Sequence, residues 1–309
     1  MKLWSILAGG VIGATVIGAL NTSASAAVFT PSFASNSWSP IAAAGAHDDD
    51  EALYKQIMES AGPALVTIKF VLKADGDAGA MAGLADQEME AVGMLIDGKG
   101  LIVCSNLMMG GFAAMMARGG GAAITPSDVK VFIGDETEGR KAKVLTRDTE
   151  LDLAWVKLDE DSTSELKHVD MDKGATAAAG TQVYSLQRMA KFFDRALMIV
   201  EGNICGTTEK PRKLLAPSKG MASTREDLGM PVFNSAGTVI GMVVLQIPDE
   251  ESRAADTAGD LGGGPMILPA ADVAKATKRA LEVAAANPPA EKKEEAPAEK
   301  PAEAPKTDK

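Results

Sequence analysis

Hydrolysis of a carbonyl compound needs a nucleophile and a base within reach of each other, and this chain is short of bases. Acyl transfer through a hydroxyl needs an imidazole or an equivalent group beside it to take the proton. The 309-residue sequence contains two histidines. His47 lies in a polar run ahead of the first expected strand, and His168 lies in a charged connector. Both read as solvated side chains. Ser223, Thr224 and Ser235 stand near one another in sequence, but none has a base placed beside it. Ser235 falls in Asn234-Ser-Ala-Gly237, which reads as a tight hairpin turn. Metal binding needs a cluster of Cys, His or carboxylate ligands, and no such cluster is visible. The two cysteines, Cys104 and Cys205, form no disulfide framework. They read as separate buried thiols, with a bridge open to them chemically if the chain is exported. No cofactor is expected.

The elements that must carry these residues are mostly strands. Asp48-Asp-Asp-Glu51 leads into a helix, since acidic residues suit a first turn. Leu53, Ile57 and Ser60 follow at helical spacing, and Gly62-Pro63 ends it. From Leu65 the period becomes two, with Val66, Ile68, Phe70 and Leu72 on one face. Further strands are expected at Val92–Ile96, Leu101–Cys104, Val129–Ile133, Lys141–Leu145 and Leu153–Leu158. The second half adds Gln182–Leu186, Ala196–Gly202, Met230–Phe233, Thr238–Gln246 and residues 265–269. Turn signals such as Asp97-Gly-Lys-Gly100 separate them. Many short strands punctuated by Gly and Asp indicate an all-β barrel or sandwich. Ala271 to Ala286 reads as a closing helix, with Val273, Thr277, Ala280 and Leu281 along one stripe.

Three segments, in order, resemble the catalytic segments of HtrA/Deg-type serine proteases. They are Gly100-Leu-Ile-Val-Cys-Ser-Asn-Leu-Met-Met109, Arg147-Asp-Thr-Glu-Leu-Asp-Leu-Ala-Trp-Val-Lys-Leu158 and Glu226-Asp-Leu-Gly-Met-Pro-Val-Phe-Asn-Ser-Ala-Gly-Thr-Val-Ile-Gly241. The resemblance covers residues 51–286. It implies a trypsin-like double six-stranded β-barrel with a short N-terminal helix and a C-terminal helix. It puts Leu107 where the family has His, Asp152 on the catalytic Asp, and Leu228 where the family has its nucleophilic Ser. Leucine can neither attack a carbonyl nor carry a proton. The turn that forms the oxyanion hole, Glu226, Gly229 and Met230 here, has Glu226 and Met230 in place of glycines, which disfavours its sharp backbone. A catalytically degenerate member is therefore expected, one lacking the PDZ domain that the resemblance would put after the closing helix. A trimer is implied by the resemblance alone.

The domain plan is residues 1–26 a signal peptide, 27–50 a flexible linker, 51–170 the N-terminal helix and first barrel, 171–286 the second barrel and closing helix, and 287–309 a disordered Pro/Ala/Glu/Lys tail. Lys2, the apolar run Leu3 to Leu20 and the small residues Ala24-Ser-Ala26 suit a cleaved export signal, with an uncleaved anchor as the alternative. The net charge of −11 argues against nucleic-acid binding. Met108, Met109, Met115 and Met116 cluster beside Leu107. Flexible thioethers suit an adaptable apolar surface for a peptide, and equally suit filling of an apolar cleft. The expected role is an exported pseudoprotease that binds a protein or peptide, or serves as a scaffold, in the cell envelope. The alternatives are a serine endopeptidase with a relocated active site and an envelope tether working through its tail.

Overall fold

Alternating apolar residues set the first strand and close the first barrel around it. In the computed structural model, which describes residues 46–75, 87–111, 113, 123–160, 162, 164–189, 191–222, 224–247 and 263–286, Val66, Ile68, Phe70 and Leu72 are all buried along strand β1 (Leu65–Asp75). The strands β2 (Glu88–Leu95), β3 (Leu101–Ser105), β4 (Ala123–Ile133), β5 (Arg140–Asp148) and β6 (Leu153–Leu158) complete a closed barrel in the order β1-β2-β3-β6-β5-β4. Pairing of β1 with both β2 and β4 seals the ring, so no sheet edge is left open.

The second barrel is built from β7 (Gln182–Arg188), β8 (Leu197–Thr208), β9 (Leu214–Pro217), β10 (Pro231–Asn234), β11 (Val239–Gln246) and β12 (Gly264–Pro269). It closes in the order β10-β11-β12-β9-β8-β7. The β10–β11 hairpin turns at Asn234–Gly237, where Asn234 Oδ1 accepts from the backbone N–H of Ala236 and Thr238, both at 3.0 Å. Gly237 supplies the positive φ of 71° that this turn requires.

Two helices flank the barrels. Helix α1 (Ala46–Ala61) buries Leu53, Ile57 and Ala61, and Tyr54 meets the ring of Tyr184 edge to face at 5.9 Å. Helix α2 (Ala270–Ala286) buries Ala270, Val273, Ala274, Ala276 and Ala280. Its Thr277 hydroxyl accepts from Trp155 Nε1 at 2.9 Å and donates to the Val273 carbonyl at 2.8 Å. This ties the helix to β6, because a buried indole N–H needs an acceptor. The barrels are laced together: Arg188 donates to the Leu65 carbonyl at 3.0 Å, and Arg195 grips both oxygens of Glu90 at 3.0 Å.

Several expectations are corrected. α1 starts at Ala46, inside the segment 27–50 read as linker, so that Asp48 to Asp50 already lie in its first two turns. β9 falls in a stretch left as a connector. Leu281 is 42% exposed, off the buried stripe of α2, and Cys205 is exposed rather than buried. The signal segment, most of the linker, the tail 287–309, Met115 and Met116 lie outside the described residues. No helix among the described residues is long and apolar enough to cross a membrane.

Candidate functional site

Asp152 sits at the junction of the barrels, in the turn between β5 and β6. Its φ is +56°, a left-handed conformation that costs a non-glycine residue roughly 1–2 kcal/mol. The side chain is 4% exposed, and both of its carboxylate oxygens are hydrogen-bonded. Ser105 Oγ lies 3.0 and 2.9 Å from them. The backbone N–H of Leu107 donates to Oδ1 at 2.7 Å, and that of Leu245 donates to Oδ2 at 2.9 Å. Ser105 and Leu107 belong to the first barrel and Leu245 to β11 of the second, so one carboxylate joins both. Burial pushes its pKa up to about 6, outweighing the donors from Leu245, Leu107, Ser105 and Asn106 that pull it down. Beside it the buried Cys104 thiol is pushed well above its usual range, by burial first and then by Asp152.

The segment after β3 makes one irregular turn, Leu107–Gly111, in which Met109 and Gly110 leave helical geometry and Gly110 has φ 89°. Arg147 holds this turn by donating to the Met109 carbonyl at 2.8 Å. The retained Arg147-Asp…Asp152 segment therefore positions the turn that carries Leu107.

Across the seam, residues 225–227 wind into a short 3-10 turn. Its Leu228 N–H donates to the Arg225 carbonyl at 3.2 Å. Asp227 fastens the turn from inside, accepting from Thr224 N at 2.7 Å and from Gln187 Nε2 at 2.9 Å. The Leu228 N–H is thereby used within its own turn. Gly229, at φ +91°, lies so close to the first barrel that a Cβ would stand 3.3 Å from Ser105 N and 3.4 Å from the Val92 carbonyl oxygen.

The leucines themselves meet in one apolar cluster. Leu228 is 2% and Leu107 9% exposed, and both pack with Val183, Ile204, Leu215, Met221, Val232, Ile240, Val243 and Ile267. Leu107 thus leaves its own barrel and joins the core of the other. Met109 is fully buried in the larger cluster, and Met108 is half-buried against both. Of the two readings of these methionines, Met109 at 0% exposure follows the filled cleft, while Met108 stays partly exposed. Met230 is likewise buried, at 1%. His168 takes no part in this arrangement, its Nδ1 lying 3.0 Å from the Leu166 carbonyl. Among the described residues no group of His, Cys, Asp or Glu is placed to hold a metal.

Sequence reasoning did not single out Ser105, Gln187 or Leu245. Ser105 stands two residues before Leu107 in the same motif, which was a usable signal. Gln187 and Leu245 act through a side-chain amide and a backbone N–H brought in from distant strands, and no local pattern marks them.

Known proteins bear on this geometry as follows. Residues 91–242 match the family model described as trypsin-like peptidase domain. That span runs from within β2 to within β11 and contains Leu107, Asp152 and Leu228. No curated protein matches the chain. Among solved structures it is similar to the protease domain of MamO from Magnetospirillum magneticum in its apo form, at 17% identity and TM-score 0.44, covering 70% of this chain and 97% of that one. It is also similar to Deg5, at 17% identity and TM-score 0.47, covering 73% of this chain and 92% of that one. The two closed six-stranded barrels with flanking helices are the trypsin-like fold. Residues 91–242 are similar to the trypsin-like peptidase domain of that fold.

Proposed function

We propose that the protein is an exported pseudoprotease, a protein- or peptide-binding or scaffold module of the cell envelope that performs no peptide hydrolysis. The observation that carries this reading is the joint burial of Leu107 and Leu228 in one apolar cluster at the seam. A hydroxyl nucleophile works with a base in hydrogen-bond reach, and these two positions offer hydrocarbon instead. Asp152, the group that would orient a base, is occupied by Ser105 and two backbone N–H groups. Ser105 is the one hydroxyl resting on this carboxylate, and at 0% exposure it offers no approach to a substrate. Export is supported by Lys2, the apolar run Leu3 to Leu20 and the small residues before Ala27.

The test is direct. Mature protein incubated with a fluorophosphonate probe should stay unlabelled, and unfolded casein should not be cleaved above a buffer blank. Stoichiometric labelling of any serine would establish the alternative, an endopeptidase with a relocated site. N-terminal sequencing of the exported protein should find Ala27 as its first residue.

A further inference from the structure

The seam is packed shut where the resemblance places catalysis, yet it opens elsewhere. A crevice of about 400 Å³ lies between the β5–β6 turn of the first barrel, the β8–β9 connector of the second and the first half of α2. That volume is within the usual range for ligand pockets. Leu151, Leu268 and Ala276 give it an apolar lining, and Arg212, Lys213, Lys275 and Arg279 bring four cations to it, in a chain whose net charge is −11.

Three carboxylates also reach the crevice, but two are already engaged. Asp148 accepts from the backbone N–H of Glu150 at 3.1 Å and of Leu151 at 2.9 Å. Glu150 pairs with Arg212 at 3.4 Å. This leaves Asp272 against Lys213, Lys275 and Arg279, none of whose side chains has a hydrogen bond or ion pair with another described residue. Cations without a partner among the described residues, beside buried hydrocarbon, suit a ligand that is anionic and apolar by turns.

We infer that this crevice binds an extended acidic peptide segment of a partner protein, one that alternates carboxylate and apolar side chains. The inference rests on the binding role proposed above and gives it a location away from the filled site. Spacing favours a peptide over a small anion. Lys275 and Arg279 are four residues apart on α2, about 6 Å along the helix axis. Side chains two residues apart on an extended strand repeat about every 6.6 Å and share one face. Carboxylates at alternate positions therefore match the two cations in register, while the intervening side chains turn to the other face. Lys213 comes from the β8–β9 connector, so cations reach the crevice from the second barrel as well as from the helix. A compact phosphate would instead need its donors converged on one point.

The experiment is fluorescence anisotropy with a labelled peptide of alternating Glu and Leu, its Gln-for-Glu counterpart, and inorganic tripolyphosphate as competitor, each added to the mature protein. The acidic peptide should bind, and more weakly as salt rises. The Gln counterpart should bind at least tenfold more weakly. Lys275→Glu with Arg279→Glu should weaken the acidic peptide at least tenfold, and Lys130→Glu on β4 should not. Lys213→Glu, on the exposed connector, replaces the double variant if that one does not fold. The inference is overturned if the acidic peptide does not bind, if the crevice variants bind it as well as wild type, or if tripolyphosphate displaces it fully at equal charge concentration. Mass spectrometry of the recovered peptide separates the two readings. A bound and cleaved peptide would sink the pseudoprotease reading and leave the crevice standing. An unbound and uncleaved peptide would do the reverse.

Discussion

Under the proposed reading, the two walls of the seam differ from the protease pattern in different ways. On the first-barrel wall the side chain at position 107 is changed, but the backbone around it is held in place. Leu107 N–H finds the Asp152 carboxylate, and Arg147 props the following turn. On the second-barrel wall the backbone is bonded within its own turn. Leu228 N–H is spent on the Arg225 carbonyl, and Gln187 and Thr224 lock Asp227 beneath it. The contrast shows that a site can be lost at two levels. Replacing a side chain removes a reactive atom. Re-hydrogen-bonding a turn removes the electrostatic field that would have stabilised charge in the transition state.

This difference can be broken most severely by reversion. Leu107→His with Leu228→Ser restores the side-chain chemistry on both walls but leaves the closed turn. Peptidase activity should remain at least about a hundredfold below that of a four-site variant that also carries Glu226→Gly and Met230→Gly, since each missing oxyanion donor costs on the order of a hundredfold or more. Equal activity in the two-site and four-site variants would show that the turn opens unaided, and would erase the distinction between the walls.

Truncation tests whether the walls are welded. Removing a buried leucine side chain to Ala costs about 2–5 kcal/mol, because a cavity remains. Leu228→Ala should fall in that range, and Leu107→Ala at its lower end, since Leu107 retains 9% exposure. Urea unfolding of the single and double variants should give a coupling of about 0.5 kcal/mol or more, as expected for side chains sharing one cluster. Strict additivity would separate the two residues.

Asp152 marks the first wall by its response to pH. Its pKa is raised by burial to about 6 from an ordinary 3.8. Between those values the folded state binds more protons than the unfolded one, so its contribution to stability falls as pH rises through that window. The full change is on the order of 3 kcal/mol. Asp152→Asn should abolish this component. Glu90 and Asp170 have lowered pKa values and act in the opposite sense in both proteins, so the readout is the difference between wild type and variant at pH 4 to 7. Parallel curves would mean that the carboxylate carries no such strain.

Much of this architecture was legible from the residues. β1 and β6 announce themselves through apolar runs that must be buried, and the Asn234–Gly237 turn through its Asn and Gly. β9 escaped because Lys210-Pro-Arg-Lys213 immediately before it looks like a solvated connector, and because a run of four residues is too short to show a period. Met109 was ambiguous for a physical reason: a thioether serves an exposed adaptable surface and a core gap equally well, and only burial decides. The substitutions at Glu226 and Met230 signalled a changed turn. They did not indicate where Leu228 N–H would go, because its acceptor is chosen by the 3-10 geometry and by Gln187 arriving from β7.

The smallest expected effect concerns the point where the turned wall still touches the other. Gly229 keeps a φ of +91°, so any side chain there bears backbone strain of roughly 1–2 kcal/mol. A Cβ would also press on Ser105 N and the Val92 carbonyl oxygen, at 3.3 and 3.4 Å, and neither backbone atom can yield without moving the end of β3 or the middle of β2. Gly220 provides the control, with φ +97° and nothing within 4 Å of the place a methyl group would take. Gly220→Ala should cost the strain alone. Gly229→Ala should cost that and a further few tenths to 1 kcal/mol for the contact, roughly the smallest difference that replicate urea titrations resolve. If both variants lost the same stability, the seam would be soft at this point, and the second wall would be held by the leucine cluster and Asp152 without help from the backbone contact at Gly229.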